Sequence, residues 1–366
     1  MKNNRDKEKA QMLALTAVGC IGPVRMKMIL AEAETLDEVM AWDIPRWCRV
    51  PGISEQLAFR IVDKLDLTYG EQVLDWSRQN NYAILTLLDD DYPPMLRELY
   101  DPPPFLFVKG NLVPADVKAV SIVGSRSATE YGRMTASRLA GELARQGITV
   151  VSGMAIGVDS SSHRGAMAAG GRTIAVLGSG IDVIYPPDNK NLYQEIAEHG
   201  AILSEFFPGV EPNAGHFPRR NRIIAGLARA VVVVEAGQKS GALLTADLAL
   251  SQDKALFAVP GQLTSKMSQG THDLIRAGAR LLVSADDIFS VLPELKNDYI
   301  PAERAAPNEL SDQEQRIFGL LSESPKQIDI LVRDCGLTIS EVSTCLLTLE
   351  LRGLIKQLPG KRFIAA

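Results

Sequence analysis

Three arginines crowd the front of an otherwise apolar run at residues 217–226, which reads Phe-Pro-Arg-Arg-Asn-Arg-Ile-Ile-Ala-Gly. Pro218 suits the first turn of a helix, where the missing N–H is not needed. The start of a helix presents free backbone N–H groups and the positive end of the helix dipole. Arginines placed there build a site for phosphate or another anion. The alternative is a structural ion-pair cluster, because an unpaired buried guanidinium is too costly.

The chain on both sides of this run alternates strands and helices, from residue 117 to about residue 289. Near-continuous Val and Ile runs indicate strands that are buried on both faces. The predicted strands lie at residues 120–123, 149–152, 173–177, 201–203, 231–234, 256–259 and 281–283. Helical patterns separate them. The alternation predicts an α/β fold with a doubly wound, parallel, Rossmann-like sheet.

Ligands of such a sheet bind beyond the carboxyl ends of its strands. The loops that follow those ends are rich in glycine and hydroxyl groups, and they supply the cations Arg126, Arg220, Arg222 and Lys239. We therefore expect this edge to hold several phosphate-sized anions in a row. The first loop lacks the Gly-x-Gly-x-x-Gly pattern of dinucleotide sites, and the spacing around Lys239 does not match a Walker A loop. The sequence predicts no cofactor.

Asp159, His163 and Glu235 are the candidate acid–base groups at the same edge. Each has a structural alternative: Asp159 caps the following helix, His163 packs beside it, and Glu235 balances a neighbouring arginine. The sequence contains no nucleophile elbow and no metal-ligand spacing, so we predict a binding protein that is not an enzyme. Phe217 either stacks on a base or acts as a hydrophobic staple in front of its helix.

The segments before the α/β region read as short helices with two similar turns, at residues 18–23 and 50–54. This pattern predicts a helix-hairpin-helix or SAM-like domain over residues 1–80. Such hairpins hold a DNA backbone through loop N–H groups. These turns carry little positive charge, so a small helical scaffold is the alternative. A proline-rich bridge follows, and its prolines confine the strand-like segments at 83–88 and 105–108 to edges and turns.

The last part of the chain reads as a winged helix-turn-helix. Residues 81–293 form the predicted Rossmann-like domain, residues 294–309 a polar linker, and residues 310–366 the winged helix. Ser311 and Glu314 form a capping box. The predicted helices and hairpin strands are 312–321, 327–332, 340–351, 355–357 and 362–364, with Pro359-Gly360 at the tip of the wing.

The charges of the third helix argue against a reader of duplex DNA. That helix contains Glu341 and Glu350 and no basic residue, and an acidic face is repelled by phosphates. Contact with a protein, or weak contact of the wing alone with DNA, is the better interpretation.

Composition is ordinary for a globular protein, with a formal net charge of -5. Contact with a polyanion must therefore come from a local positive patch. Cys20, Cys48, Cys335 and Cys345 are scattered and form no C-x-x-C pair, which indicates a reducing compartment. No apolar run is long enough to span a membrane. We expect a cytoplasmic protein with no membrane partner.

Several long motifs, taken in order, resemble DNA-processing protein A (the DprA or Smf family). They are Gly-Ser-Arg at 124–126, Ser-Gly-Met-Ala-Ile-Gly-Val-Asp at 152–159, the arginine run at 217–226 and Pro-Gly at 260–261. The resemblance covers essentially the whole chain. It implies a protein of natural transformation and recombination that binds single-stranded DNA, protects incoming strands and loads RecA onto them. It also implies a homodimer formed through the Rossmann-like domain, and no catalysis.

By position, the resemblance implies that Arg126 holds a phosphate and that Arg220 and Arg222 line the same pocket. Phe217 is expected to lie against the nucleotides. The predicted nucleic-acid-binding residues are Gly124, Ser125, Arg126, Gly153, Phe217, Arg219, Arg220, Asn221, Arg222, Lys239, Ser240, Gly241, Gly270 and Thr271. His272 stands where the family usually has asparagine, which puts the contact of that loop in doubt.

Two other functions compete with the single-stranded DNA hypothesis. One is a nucleotide-processing enzyme of the Rossmann-like phosphoribohydrolase kind, although the Pro-Gly-Gly-x-Gly-Thr signature is missing from the sequence. The other is a transcription factor that uses the winged helix, which the acidic third helix weakens.

Overall fold

A computed structural model describes residues 2–296, 311–321, 326–351, 354–358 and 362–365. The chain divides between residues 299 and 300 into two compact units. The predicted boundary near residue 80 stays a prediction, because the front helices and the α/β region belong to the same unit.

Six helices precede the first strand of the first unit: α1 (Lys2–Ala17), α2 (Pro23–Glu32), α3 (Leu36–Met40), α4 (Ile44–Trp47), α5 (Glu55–Lys64) and α6 (Leu67–Gln79). The two similar turns precede α2 and α5. Gly19 and Gly52 both have a φ of +79°, a conformation that favours glycine. Helices α1 to α5 pack around a core that includes Met26, Trp47 and Ile61, while α6 packs its Val73 and Leu74 against the α/β region.

The α/β region has nine strands: β1 (Ala83–Thr86), β2 (Phe105–Gly110), β3 (Ala119–Val123), β4 (Thr149–Ser152), β5 (Thr173–Val176), β6 (Gly200–Ser204), β7 (Ala230–Val233), β8 (Ala255–Ala258) and β9 (Arg280–Leu281). Their order is β1-β2-β6-β5-β4-β3-β7-β8-β9. Strands β3 to β9 run parallel, while β2 is antiparallel to β1 and β6. The predicted parallel, doubly wound sheet is confirmed.

Both faces of the sheet are covered, which explains why its strands are apolar throughout. The helices are α7 (Pro94–Arg97), α8 (Glu130–Arg145), α9 (Val158–Ala168), α10 (Lys190–His199), α11 (His216–Leu227), α12 (Gly241–Ser251), α13 (Gln269–Arg276) and α14 (Ala285–Val291). Ala119 and Val123 face the core under α11 and α12. Val120 and Ile122, which alternate with them, face the core under α8, α9 and α14.

Strand β1 lies at one edge of the sheet, and outward-facing backbone groups of both Ile84 and Thr86 are already bonded within the chain. Lys9 Nζ donates to the Ile84 carbonyl at 2.6 Å, and the Asp89 carboxylate accepts from the Thr86 N–H at 2.7 Å. Lys9 and Asp89 also form an ion pair at 3.3 Å. This edge is therefore closed to a further strand.

The second unit contains α15 (Asp312–Leu321), β10 (Lys326–Gln327), α16 (Ile328–Cys335), α17 (Ile339–Leu351), β11 (Ile355–Leu358) and β12 (Arg362–Ala365). The strand order is β10-β12-β11, all antiparallel. This is the predicted winged helix, with β10 as a third strand that the sequence did not reveal. The Ser311–Glu314 capping box is present. Pro359 and Gly360 lie outside the described residues.

Within the described ranges, no helix has both the length and the apolar character that crossing a membrane requires.

Candidate nucleic-acid interface

A cleft of about 600 Å³ opens at the carboxyl ends of β3, β4 and β7. The loops after those strands and the first turns of α11 and α12 form its walls. Its lining includes the cations Arg126, Arg220 and Lys239, and a single carboxylate, that of Asp159. The predicted edge of the sheet therefore forms a cleft with excess positive charge.

Arg126 is exposed at the tip of the loop after β3. The loop is held in place, because the Ser125 N–H donates to the Glu235 carbonyl at 2.7 Å and the Ser127 N–H donates to Ser125 Oγ at 3.1 Å. The Arg126 guanidinium carbon lies 4.4 Å from the centroid of the Phe217 ring. This cation–π contact orients the guanidinium and leaves its N–H groups available to an anion.

Arg220 forms the floor of the cleft and is 5% exposed. Its Nη1 donates to the carbonyls of Gly153 and Val176, both at 2.6 Å, and its Nε donates to Asn221 Oδ1 at 3.1 Å. A Cβ at Gly153 would collide with the guanidinium, which explains the glycine. Burial, opposed by Asp159 and assisted by Arg126, lowers the pKa of Arg220 to about 10. Arg220 is thus a fixed cation at neutral pH.

Asp159 is buried beside Arg220 and accepts from the Ala155 N–H at 3.3 Å. Burial raises the pKa of Asp159, and Arg220 and Arg126 oppose that rise. The prediction that Asp159 caps the helix is inaccurate, because the residue before α9 is Gly157 and Asp159 lies within the first turn. Its carboxylate ties the loop after β4 instead.

Lys239 and Ser240 lie on the loop between β7 and α12, and Lys239 is exposed. Ser240 Oγ accepts from the Ala242 N–H at 3.3 Å and caps α12, which begins at Gly241. Gly241, Ala242 and Thr245 line the cleft. The amino end of α12 therefore adds backbone N–H groups to the cations.

Phe217 and Asn221 bring α11 to the same cleft. The Phe217 ring packs against Gly178, where an added Cβ would lie 3.0 Å from its Cδ1. Asn221 accepts from Arg220 and donates to the Gly241 carbonyl at 3.4 Å, so it links α11 to the start of α12.

Arg222 does not line the cleft, and our prediction that it shares the pocket with Arg220 is wrong. Two residues correspond to about 200° of turn on an α-helix, so Arg222 points away from Arg220. It is 5% exposed, pairs with Glu205 and lies 3.3 Å from the Asp101 carboxylate. Burial raises the pKa of Glu205, and Arg222 opposes that rise. This is the structural ion pair that the sequence left open.

Arg219 also lies outside the lining of the cleft. Its side chain is 53% exposed, 3.7 Å from Glu205, and its guanidinium stacks over Phe206 at 5.1 Å. Gly270 and Thr271 are buried and do not line the cleft either. The Gly270 N–H donates to the Ala236 carbonyl at 2.8 Å, and His272 Nε2 lies 3.1 Å from the Gly261 carbonyl. These residues belong to the first turn of α13, and their contacts hold the adjacent loops after β7 and β8 in place.

The other candidate acid–base groups are engaged in the fold. Glu235 accepts from the Thr129 hydroxyl at 2.6 Å and from its N–H at 2.8 Å, at the start of α8; it does not balance an arginine there. His163 Nδ1 lies 2.6 Å from Thr173 Oγ1, which itself donates to the Val150 carbonyl. Burial lowers the pKa of His163 to about 3. In the described part of the chain, no cluster of potential metal ligands occurs.

Tyr185 is a residue at the cleft that sequence analysis missed. Its ring lies next to that of Phe217, and the two residues line a small crevice together with Arg126. Its signal in the sequence is the Tyr-Pro-Pro segment at 185–187, which lies on the connection that follows β5, as Arg126 lies on the loop that follows β3.

Fold and site together define a Rossmann-like protein with a cationic cleft at the carboxyl edge of its sheet and an appended winged helix. The family model of DNA recombination-mediator protein A matches residues 83–293, and that of the DprA winged helix domain matches residues 301–361. The chain belongs to the DNA recombination-mediator protein A (DprA/Smf) family.

Sequence similarity to known proteins extends over most of the chain. Protein Smf of Synechocystis sp. is 34% identical over 391 residues, covering 97% of this chain and 98% of the relative. DNA processing protein DprA of Streptococcus pneumoniae is 38% identical, over 72% of this chain and 90% of the relative. The X-ray structure of the S. pneumoniae protein matches with a TM-score of 0.65 at 33% identity, covering 78% of this chain and 95% of that one.

A second solved structure is a DNA processing protein A from Helicobacter pylori, described for its single-stranded DNA binding mode. It matches with a TM-score of 0.53 at 33% identity, covering 59% of this chain and 97% of that one.

Proposed function

We propose that this protein binds single-stranded DNA in the cationic cleft, and that it protects incoming strands in natural transformation and loads RecA onto them. The observation that carries the proposal is the convergence of Arg126, Arg220 and Lys239 beside Phe217. Single strands offer phosphates to the cations and unpaired bases to an aromatic ring. The H. pylori relative is described as binding single-stranded DNA, which supports single-stranded DNA as the ligand of this cleft.

The three cations have different roles in this proposal. Arg126 and Lys239 are exposed and contact successive phosphates. Arg220 is fixed by two strand-end carbonyls and supplies a positive field from the floor. A cation that is already in place needs no reorganisation when the strand arrives.

We propose that the cleft binds without catalysing a reaction. Glu235 and His163 are engaged with Thr129 and Thr173, and neither lines the cleft. Asp159 is 6% exposed and lies between the loop after β4 and two arginines. These contacts support structural roles for all three groups.

We also propose a homodimer formed through the Rossmann-like domain, in the cytoplasm. Leu263, Leu281 and Val283 are 88%, 50% and 59% exposed near the β9 edge, and apolar surface of this kind suits a protein interface. All four cysteines are free thiols, which suits a reducing compartment.

Fluorescence anisotropy tests the DNA proposal, with labelled oligothymidylate and a duplex of equal length at several salt concentrations. The variants are Arg126→Ala and, as the control, Arg145→Ala, which removes an exposed cation at the far end of α8. We expect tight, salt-sensitive binding of the single strand that Arg126→Ala weakens at least tenfold and Arg145→Ala leaves unchanged. Equal binding of both DNAs, or none, would contradict the proposal. Release of free base from a panel of nucleotides would then favour the enzyme.

A further inference from the structure

Tyr185 is an exposed aromatic side chain beside the cleft, in a small crevice whose lining shares Arg126 and Phe217 with that of the cleft. Its side chain is 42% exposed. The ring centroid lies 6.2 Å from that of Phe217, with the planes tilted by 39°. Arg126 lines the same crevice. Two neighbouring aromatic rings therefore lie beside an exposed guanidinium at the border of the cleft.

Phe217 has limited room for a base. The Arg126 guanidinium lies over its ring at 4.4 Å, and that of Arg220 is 5.9 Å from the same centroid. Gly178 packs against the ring. A base that stacked on the face covered by Arg126 would have to displace the guanidinium and lose the cation–π contact. The crevice between Tyr185 and Phe217 holds only about 10 Å³, so a base cannot enter it.

The loop that carries Tyr185 is anchored by hydrogen bonds both before and after this residue along the chain. Ser179 Oγ donates to the Val183 carbonyl at 2.8 Å, and the Tyr193 hydroxyl donates to the Ile181 carbonyl at 2.7 Å. Beyond Tyr185, Asn189 Nδ2 donates to the Met154 carbonyl at 2.7 Å. A ring on an anchored backbone loses little conformational entropy when a ligand stacks on it.

We infer that Tyr185 forms a nucleobase subsite, on whose exposed face the base of one nucleotide stacks while Arg126 binds an adjacent phosphate. The inference rests on the proposed binding of single-stranded DNA and adds a contact to the base. Every nucleobase has a face that can stack, so the subsite tolerates any sequence. It requires a base that is not paired, and therefore discriminates against duplex DNA.

The test compares two ligands of equal length and charge: oligothymidylate, and a strand of abasic residues. The proteins are wild type, Tyr185→Ala, Tyr185→Phe and Tyr100→Ala. Tyr100 is the matched control, because it is 79% exposed and lines neither the cleft nor the crevice that contains Tyr185. Affinities are measured by anisotropy at several salt concentrations, and urea midpoints show that each variant is folded.

Tyr185→Ala is expected to weaken binding of oligothymidylate about tenfold, within the range for loss of one stacked base. Its affinity for the abasic strand and the slope of log affinity against log salt stay as in wild type, because the phosphate contacts remain. Tyr185→Phe and Tyr100→Ala behave as wild type.

Two results would overturn the subsite: unchanged affinity of Tyr185→Ala for oligothymidylate, or an equal loss on both ligands, which would make Tyr185 a structural residue. Failure of the wild type to bind either strand would instead refute the proposed function, so the two failures are distinguishable.

Discussion

The cleft and the third helix of the winged helix, α17, differ in the way that matters for binding DNA. The cleft is lined by three cations and one carboxylate. Helix α17 exposes Ile339 and Leu347, at 58% and 59%, together with Glu341 and Glu350. Glu341 has a local role, since it accepts from the Thr338 N–H at 2.8 Å and caps the helix. The winged helix is a fold typical of DNA readers, yet its third helix exposes apolar and acidic side chains and no basic one. The excess positive charge lies in the cleft at the edge of the sheet.

This comparison shows that fold type and ligand are separate questions. A winged helix reads duplex DNA when its third helix brings donors to the major groove. Helix α17 exposes serine and threonine hydroxyls but no lysine or arginine, the side chains that bind guanine and phosphates most strongly. Its apolar positions instead suit contact with a protein.

The largest effect is expected from removing cations in the cleft. Arg126→Ala combined with Lys239→Ala should weaken binding of single-stranded DNA by about 100-fold at moderate salt, because two phosphate contacts are lost. The salt slope should fall by about 1.4, or about 0.7 per phosphate. The matched pair in the second unit, Arg333→Ala with Lys356→Ala, should leave both quantities unchanged. If both double variants lost the same amount of affinity for single-stranded DNA, the cleft and the second unit would not differ in their contribution to binding.

The next effect concerns stability and separates buried Arg222, on α11, from exposed Arg126, on the loop after β3. Arg222→Ala leaves Glu205 buried without its partner, and should cost about 3–5 kcal/mol in the free energy of unfolding. Arg126→Ala should cost less than about 0.5 kcal/mol, as an exposed substitution. Urea denaturation measures both. If Arg222→Ala were as stable as wild type but bound DNA more weakly, Arg222 would have to be assigned to the DNA interface.

A response to acid that depends on histidine is expected only from the first unit, since all four histidines precede residue 300. The pKa of buried His163 is about 3, below the ordinary value near 6.5, so the unfolded chain binds the proton more readily. This contribution to stability is present above pH 6.5 and is lost as the pH falls toward 3, by up to about 1.4 kcal/mol per pH unit.

Urea midpoints between pH 7.5 and 4.5, followed by the fluorescence of Trp42, Trp47 and Trp76 in the first unit, measure this dependence. The urea midpoint of His163→Gln should change less with pH over this range than that of the wild type, whatever the absolute stability of the variant. Identical pH dependence in the two proteins would show that another group controls the response.

The smallest effect is expected on α17. Leu347→Ser removes an exposed apolar side chain, and should change the free energy of unfolding by less than about 0.5 kcal/mol. Affinity for single-stranded and duplex DNA should stay within about twofold of wild type. A large loss of either affinity would show that this helix contacts nucleic acid.

Much of the fold could be predicted because buried strands have a local signature. Runs such as Val-Val-Val-Val at 231–234 are apolar on both faces, and this alone indicates a covered parallel sheet. The short strand β10 carries no such signature, since Lys326 and Gln327 are polar and pair with β12 only through the backbone.

The site was predictable where it depends on loop order and not where it depends on side-chain direction. Arg126, Arg220 and Lys239 follow strand ends, so topology alone brings them together. The direction of Arg222 follows from helical periodicity and was available in the sequence. The burial of Thr271 and the exposure of Tyr185 depend on packing between distant segments, which spacing along the chain does not encode.

The bonding of Lys9 and Asp89 to β1 gives the sheet two unlike ends. One end accepts no further strand, while β9 at the other end carries exposed apolar side chains next to its edge. Copies joined through their β9 ends around a two-fold axis would present only closed edges to the outside. In the proposed homodimer, growth of the sheet would then stop at two chains, and such a dimer would not extend into a fibre.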